Sequence, residues 1–232
     1  MARPEEQLRA FYDLRATEEP EADPEAALRF RKALLAARLS PGERLLDIGA
    51  KWGGLGDYAR RSGLRIGYTG LELSDEHVRR AAELGLDVRR ADVSEPLPVD
   101  DEEFDCVVCL ELLEHVLTPV ALLGEIKRVL KPRGRAVLSV PNPYSWVEIY
   151  RELLGRRDPE GHLNAFTTPV MENVLALAGM RMERRLGTSL RIPKTLCLVP
   201  TNSMLARSRI YIARPAERAL FAGRVIPRES PT

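Results

Sequence analysis

The sequence predicts an α/β fold in which a doubly wound, mostly parallel sheet carries helices on both faces. Two observations predict it. From residue 44 onward, short apolar runs alternate with segments of helical periodicity, and a glycine-rich turn follows the first of these runs. Alternating strands and helices form parallel sheets, because each helix returns the chain to the same end of the sheet. Ligands of such sheets bind at the carboxyl ends of the strands, so we expect the chemistry there.

Each element is predicted from its own residues. Strands are predicted at 44–49, 66–73, 87–93, 104–112, 135–141, 180–187 and 208–215. Helices are predicted at 25–39, 55–63, 74–85, 118–132, 145–155 and 168–179. Ser74 is expected to cap its helix and Gly85 to end it. The pairs Thr118–Pro119 and Thr168–Pro169 are typical of a helix N-terminus.

Composition excludes several classes of protein. The net charge is +1 and the hydrophobic fraction 44%, so no overall field draws the chain to nucleic acid or to an anionic membrane. No stretch approaches the ~20 apolar residues of a membrane span, and the N-terminus lacks the apolar core of a signal peptide. These features predict a cytoplasmic protein. Cys106, Cys109 and Cys197 are too few and too scattered for a disulfide framework, and the first two read as small buried residues.

Three domain-level segments are expected. Residues 1–40 form an N-terminal helical cap, and residues 41–215 form the ligand-binding domain. Insertions near 145–165 and 190–207 shape a substrate pocket, where Tyr144 is placed to meet a substrate. Residues 216–232 form a tail.

Acidic residues stand where three consecutive strands end. Asp47 precedes a turn that contains Gly49 and Gly53, and glycines allow positive φ and close approach of a ligand. Glu72 ends the second strand, at a separation from Asp47 that suits a carboxylate accepting hydrogen bonds from ribose hydroxyls. Asp92 ends the third strand. A single such acid is commonly a turn cap, but three at neighbouring strand ends predict a nucleoside site.

The motifs LLDIGxxxGG, GLELS, ADV, FDCVVCLELLEHV and RVLKPRGRAVLSVPNP occur in this order. They resemble the class I methyltransferases that use S-adenosylmethionine (SAM), of the type 11/12-like kind. An E-x-x-E-H segment, as in ubiquinone-pathway O-methyltransferases, belongs to the resemblance, which covers about residues 40–185. The resemblance implies a Rossmann-like, seven-stranded sheet whose seventh strand, 208–215, is antiparallel.

The resemblance also implies roles for individual residues. Asp47 and the glycine loop, Gly49 to Gly53, would hold the methionine part of SAM, and Glu72 the ribose. The adenine side would be formed by Asp92, Leu73 and Val93, with Leu110 and Glu111 as the floor.

Lys51 departs from the family pattern, which has a glycine at the middle of the loop. A Cβ there crowds the cofactor if φ is positive. Three outcomes are open: the side chain points outward, its ammonium pairs with the methionine carboxylate, or the loop is impaired.

The E-x-x-E-H segment supplies candidate catalytic and metal-binding residues. Glu111, Glu114 and His115 are spaced to share one helical face, and His162 follows downstream. By resemblance they would bind a divalent cation such as Mg²⁺. Alternatively His115, with Glu111, acts in catalysis without metal as a general base, or the segment only lines the pocket.

The sequence therefore predicts a SAM-dependent methyltransferase that modifies an oxygen or nitrogen of a small-molecule acceptor. Two alternatives share the fold: a degenerate SAM-binding regulatory protein, motivated by Lys51, and a metal-assisted RNA-ribose methyltransferase. A dinucleotide oxidoreductase fits less well, because Lys51 breaks G-x-G-x-x-G at its second glycine. The sequence makes no prediction about oligomeric state.

Overall fold

The computed structural model describes residues 24–158, 160–191, 198–202, 205–216, 220–221 and 224–225. The helices are α1 (Pro24–Ala37), α2 (Gly54–Arg61), α3 (Asp75–Glu83), α4 (Pro119–Val129), α5 (Trp146–Leu153) and α6 (Thr168–Leu177). The strands of the main sheet are β1 (Arg44–Ile48), β2 (Gly67–Glu72), β3 (Val88–Arg90), β4 (Phe104–Leu110), β5 (Leu130–Pro141), β6 (Met180–Gly187) and β9 (Ser208–Pro215). Short pairs are formed by β7 (Ser189–Arg191) with β8 (Leu198–Pro200), and by β10 (Leu220–Phe221) with β11 (Arg224–Val225). The predictions for residues 1–23 and Cys197 lie outside the described residues.

The main sheet has the strand order β3-β2-β1-β4-β5-β9-β6. Strands β1 to β5 pair in parallel, and β9 pairs antiparallel with both β5 and β6. The α/β fold, the seven strands and the antiparallel seventh strand are thus confirmed. The strand order reverses direction between β1 and β4, so their carboxyl ends border the switch point where such sheets bind ligands.

Apolar residues cover both faces of the sheet, as a doubly wound fold requires. One face packs under α4 and α6 through Leu122 and Met171, and the other packs under α1 and α2 through Ala33 and Leu55. Because every strand of the centre is held from both sides, the loops at its carboxyl edge are built on a rigid base. No helix among the described residues is long and apolar enough to cross a membrane.

Helix ends follow the predicted residue types with two differences. Ser74 caps α3 by accepting a hydrogen bond from His77 N. The cap of α6 is Thr167 rather than Thr168, and its hydroxyl accepts from Val170 N. The helix predicted to run beyond Val129 ends there, because β5 begins directly at Leu130 and pairs with β4.

The cysteines of β4 are structural. Cys106 and Cys109 are free and fully buried, and burial raises the pKa of the Cys106 thiol to about 12. A thiol that stays protonated is a poor nucleophile and metal ligand, which confirms the prediction of two small core residues.

Candidate active site at the carboxyl edge of the sheet

The turn after β1 requires glycine at two positions. Gly49 has φ +74° and Gly53 φ +82°, values that favour glycine. A Cβ on Gly49 would lie 3.1 Å from Cδ2 of Leu112, and a Cβ on Gly53 would lie 2.6 Å from Cδ1 of Leu86. Conformation and packing together therefore keep this loop close to Leu112, which follows β4, and to Leu86, which precedes β3.

Asp47 is buried beneath that loop and is 4% exposed. Burial raises the pKa of Asp47 to about 7, assisted by the negative charge of Glu72 and opposed by a hydrogen bond from the Tyr68 hydroxyl. The carboxyl group is thus poised between its neutral and charged forms at neutral pH. A cationic ligand group nearby would favour the charged form.

Glu72, at the end of β2, fastens the loop through its carboxylate. Oε2 accepts from Lys51 N at 2.8 Å, and Oε1 accepts from Leu73 N and Ser74 N at 2.9 Å each. Burial opposes ionisation, but the His77 ring, whose Nδ1 lies 3.8 Å from Oε1, and these N–H groups keep the pKa of Glu72 below its usual value. A carboxylate offers about four acceptor positions, so Oε2 retains one that suits a hydroxyl.

Lys51 adopts left-handed backbone with φ +50° and is exposed. A side chain at such a φ is strained by about 1 kcal/mol or more. The backbone N–H that this conformation directs at Glu72 offsets part of that cost. An outward-pointing Lys51 side chain, one of the three outcomes left open by the sequence, requires this exposure.

The third strand end offers a carboxylate flanked by apolar groups. Asp92 Oδ1 accepts from Ser94 N at 2.9 Å and from Ser94 Oγ at 2.7 Å. Among the described residues no hydrogen bond reaches Oδ2, which leaves that atom for a ligand's amino group. Val93 and Leu73 are both half-buried, and Val93 packs on the core.

Glu111 follows β4 with φ +52°, another strained residue. Its N–H donates to Ser139 O at 2.9 Å. Its carboxylate accepts from Ser139 Oγ at 2.6 Å and from Ser208 Oγ at 3.0 Å, and Oε2 lies 3.3 Å from the guanidinium of Arg29. Glu111 is therefore held on the side of α1, β5 and β9.

Three of the four predicted metal ligands come together in a separate group. Ligand atoms of Glu114, His115 and His162 all lie within 4.8 Å of one another. The rings of His115 and His162 have centroids 4.9 Å apart. Glu111, the fourth predicted ligand, makes the contacts described above and is not in this group.

The carboxylate of Glu114 is buried and accepts no hydrogen bond from the described residues. Glu114 is 1% exposed, and neither of its carboxylate oxygens has a hydrogen-bond partner within the described part of the chain. Burial, then the charge of Glu111, raises the pKa of Glu114 well above its usual value. An orphaned buried carboxylate is costly, and a cation between it and two imidazoles would satisfy it. The donor set therefore fits a divalent ion.

His162 reaches this group on a loop fixed by short contacts. Its ring Nδ1 lies 2.9 Å from Asp158 Oδ2, and its backbone N–H donates to the same oxygen at 2.8 Å. The next two residues, Leu163 and Asn164, donate their N–H groups to Glu114 O at 2.8 and 3.0 Å. Despite partial burial, the acids Glu160 and Asp158 raise the pKa of His162.

A cleft of 580 Å³ opens beside His162. Apolar groups of Tyr144, Ile149 and Leu153 share its lining with charged residues such as Arg151. It lies within the segment predicted to shape a substrate pocket. Asn142, just after β5, has a structural role, because its buried amide donates a hydrogen bond to Ala206 O at 2.6 Å.

Sequence reasoning missed the polar stripe of α1. Glu25, Arg29 and Lys32 follow one another at intervals of four and three residues, which places them on one helical face. Arg29 meets Glu111, Glu25 pairs with Arg207 at 3.0 Å, and Lys32 donates to Gly187 O at 2.7 Å. The spacing was visible in the sequence, but the leucines and alanines of the same helix dominate its pattern.

A sheet of this order, with a glycine turn and acids at its strand ends, defines an α/β protein that binds a nucleoside-containing ligand. A family model described as a methyltransferase domain matches residues 21–184. The chain belongs to this methyltransferase family, and it is a SAM-dependent methyltransferase.

A curated relative, the ubiquinone biosynthesis O-methyltransferase of Xanthomonas axonopodis pv. citri, is 30% identical over 167 residues, 66% of this chain and 69% of its own length. In the Xanthomonas campestris pv. campestris (strain B100) enzyme of the same name, the match spans 61% of that protein's length and 58% of this chain, at 31% identity. The whole enzymes thus extend beyond the matched region.

Solved structures share the fold at low identity. A complex of the Haloferax volcanii Trm112 methyltransferase activator with a methyltransferase has a TM-score of 0.71 at 17% identity, covering 90% of this chain and 98% of that chain. The [4+2]-cyclase SpnF has a TM-score of 0.69 at 21% identity, covering 93% and 97%. One fold thus hosts different reactions, and function must be argued from the site.

Proposed function

We propose that this enzyme transfers the methyl group of SAM to an oxygen, or less readily a nitrogen, of a small-molecule acceptor. The observation that carries the proposal is the row of acids on three neighbouring strand ends. The cleft of 580 Å³ beside His162 is large enough for a small acceptor. The similarity to proteins named O-methyltransferases supports oxygen as the acceptor atom.

Residues of the carboxyl edge fit the parts of the cofactor. The spare acceptor position of Glu72 suits a ribose hydroxyl, and Oδ2 of Asp92 suits the adenine amino group, with Leu73 and Val93 against the ring. Asp47 suits the cationic methionine end, together with Arg29 and Glu111 as a pair of opposite charges. Lys51 at the rim supplies a further positive charge. When bound, SAM supplies a methyl group on a sulfonium leaving group.

The protein's task is then to align the acceptor and to take up its proton. The acceptor would lie in the cleft between Tyr144 and Ile149, with its nucleophile toward His162. Where no metal is bound, His115 is the proposed general base. Where a divalent cation is held by Glu114, His115 and His162, its positive charge would instead lower the pKa of an acceptor hydroxyl.

Calorimetry with S-adenosylhomocysteine, the demethylated product, tests the proposal. The parent protein should bind it, and Asp47→Ala and Glu72→Ala should each weaken binding by tenfold or more, as expected for about 1.4 kcal/mol or more of lost contact. Ser94→Ala at the neighbouring turn is a matched control whose effect should be smaller. A parent protein that binds no product would refute the assignment.

Turnover separates an enzyme from a regulatory protein. Incubation with radiolabelled SAM and a panel of phenols and catechols should yield methylated acceptor, and His115→Ala should abolish it while product binding persists. Product binding with no turnover on oxygen or nitrogen acceptors would favour the regulatory alternative that the strained Lys51 motivates. We also propose that the enzyme acts in the cytoplasm.

A further inference from the structure

The residues of the E-x-x-E-H segment make two different sets of contacts in this fold. Glu111 has its carboxylate bound by two hydroxyls, those of Ser139 and Ser208, and paired with the Arg29 guanidinium. The side chains of Arg29 and Glu111 are only 17% and 21% exposed. Withdrawing Glu111 would leave a partly buried guanidinium without its carboxylate, which is strongly unfavourable. We therefore expect the Glu111 carboxylate to stay paired with Arg29 of α1.

The remaining group has one carboxylate and two imidazoles. Glu114 offers it an oxygen of its unpartnered carboxylate, and His115 and His162 each offer a ring nitrogen. Mg²⁺ prefers oxygen ligands in near-ideal octahedral geometry, whereas imidazole suits first-row transition ions. Without Glu111 the set is rich in nitrogen and poor in oxygen, so its chemistry disfavours Mg²⁺.

Asp158 prepares His162 for this role. Its Oδ2 lies 2.9 Å from Nδ1 of the ring, which leaves Nε2 as the nitrogen available to an ion. A carboxylate that holds the other nitrogen of a ligating histidine fixes the ring and raises its basicity. Glu160 Oε2, 3.4 Å from Nε2, adds negative charge at the rim.

We infer that Glu114, His115 and His162 select a first-row transition ion that binds imidazole well, such as Co²⁺ or Zn²⁺, over Mg²⁺, while Glu111 belongs to the cofactor side. The inference rests on the cation site of the proposed function. In this division, Asp158 is a positioning residue for His162, and the two glutamates of one sequence motif serve different ligands.

Metal titration of the chelator-treated full chain tests the inference. Calorimetry should give a Co²⁺ affinity at least ~100-fold above that for Mg²⁺, and bound Co²⁺ should show the visible absorption of nitrogen coordination. Product binding is measured on the same sample. Equal affinities for Mg²⁺ and Co²⁺ would overturn the inference. So would the absence of any metal binding in protein that still binds product, and the methyltransferase proposal would then stand.

Matched variants locate the ligands. His162→Ala should lower Co²⁺ affinity by ~100-fold, and Asp158→Asn by about 10- to 100-fold. Glu111→Gln should change it by less than ~3-fold, although it weakens product binding. If His162→Ala fails to fold, Glu114→Gln removes a ligand charge at constant shape and should lose Co²⁺ binding equally. A loss on Glu111→Gln as large as that on Glu114→Gln contradicts the division of the motif.

Discussion

The hydroxyl of Tyr68 donates a 2.9 Å hydrogen bond to the buried carboxylate of Asp47. Two glycines make room for the tyrosine. A Cβ on Gly56 would lie 2.6 Å from the ring, and a Cβ on Gly70 would lie 3.2 Å from the hydroxyl. The second strand therefore sets the orientation of the acid that ends the first, directly beneath the glycine loop.

Asp47→Asn should stabilise the protein at high pH and weaken the cofactor site. The folded pKa is about 7 against an ordinary 3.8, so the folded state retains a proton that the unfolded state loses. That stabilisation is complete below the unfolded pKa and is lost as pH rises through about 7. At about 1.4 kcal/mol per pKa unit, the full effect is on the order of 4 to 5 kcal/mol. Urea unfolding at pH 5 and pH 8 measures the part that is lost between pH 5 and about 7, roughly 3 kcal/mol.

The asparagine variant should lose much less stability between these two pH values than the parent. Product affinity should fall most at pH 8, where the parent's Asp47 is charged, because a neutral amide cannot pair with the ammonium of the product's amino-acid end. An unfolding profile for Asp47→Asn that is as pH-dependent as the parent's would show that another group titrates.

Tyr68→Phe should shift the pH dependence of product binding. Removing the donor destabilises the charged form of Asp47 and raises its pKa further, so binding should be weakened at pH 7 and restored at higher pH. The lost hydrogen bond itself should cost about 1 kcal/mol of stability. Calorimetry across pH checks both, and a uniform loss at every pH would indicate damage to packing instead.

Strand-end positions were predictable from sequence because their signals are local. A predicted strand that ends near Asp47, Glu72 or Asp92 indicates where each acid lies once the strands are parallel. Contacts between distant segments carry no such signal. Arg29 meets Glu111 only because α1 packs across the sheet, and Ser208 reaches it only because β9 is inserted beside β5.

The E-x-x-E-H segment shows the same limit. Helical spacing predicts that Glu111, Glu114 and His115 share a face. The structure instead turns the backbone to positive φ at Glu111 and forms only a short 3₁₀ helix, Leu113–His115. After this reversal the Glu111 carboxylate bonds to Ser139, Ser208 and Arg29, whereas Glu114 and His115 join His162. Spacing alone cannot reveal it, because a left-handed glutamate depends on the hydrogen bonds that Ser139 provides.

Lys51→Gly should stabilise the loop. Its φ of +50° costs a side chain about 1 kcal/mol but costs glycine little, although glycine loses more entropy on folding. We expect the free energy of unfolding to rise by up to ~1 kcal/mol.

Product affinity should rise if the lysine stem crowds the cofactor and fall if the ammonium binds the methionine carboxylate. Thermal unfolding and calorimetry together decide between these outcomes, and Lys51→Ala, which keeps the strain but removes the charge, is the control.

Arg29→Met should weaken product binding more than it weakens the fold. Methionine keeps an unbranched, flexible stem on α1 but removes the guanidinium that faces Glu111 at 3.3 Å. Glu111 then keeps its two serine bonds while losing its countercharge, and the site loses its positive group for a ligand carboxylate. We expect at least ~10-fold weaker binding, equivalent to about 1.4 kcal/mol. Arg31→Met removes the same charge from an exposed position of the same helix and should change affinity by less than ~2-fold, since a solvated charge contributes little. Equal losses from the two variants would mean that the helix contributes only its overall charge, and that Arg29 has no specific place in the cofactor site.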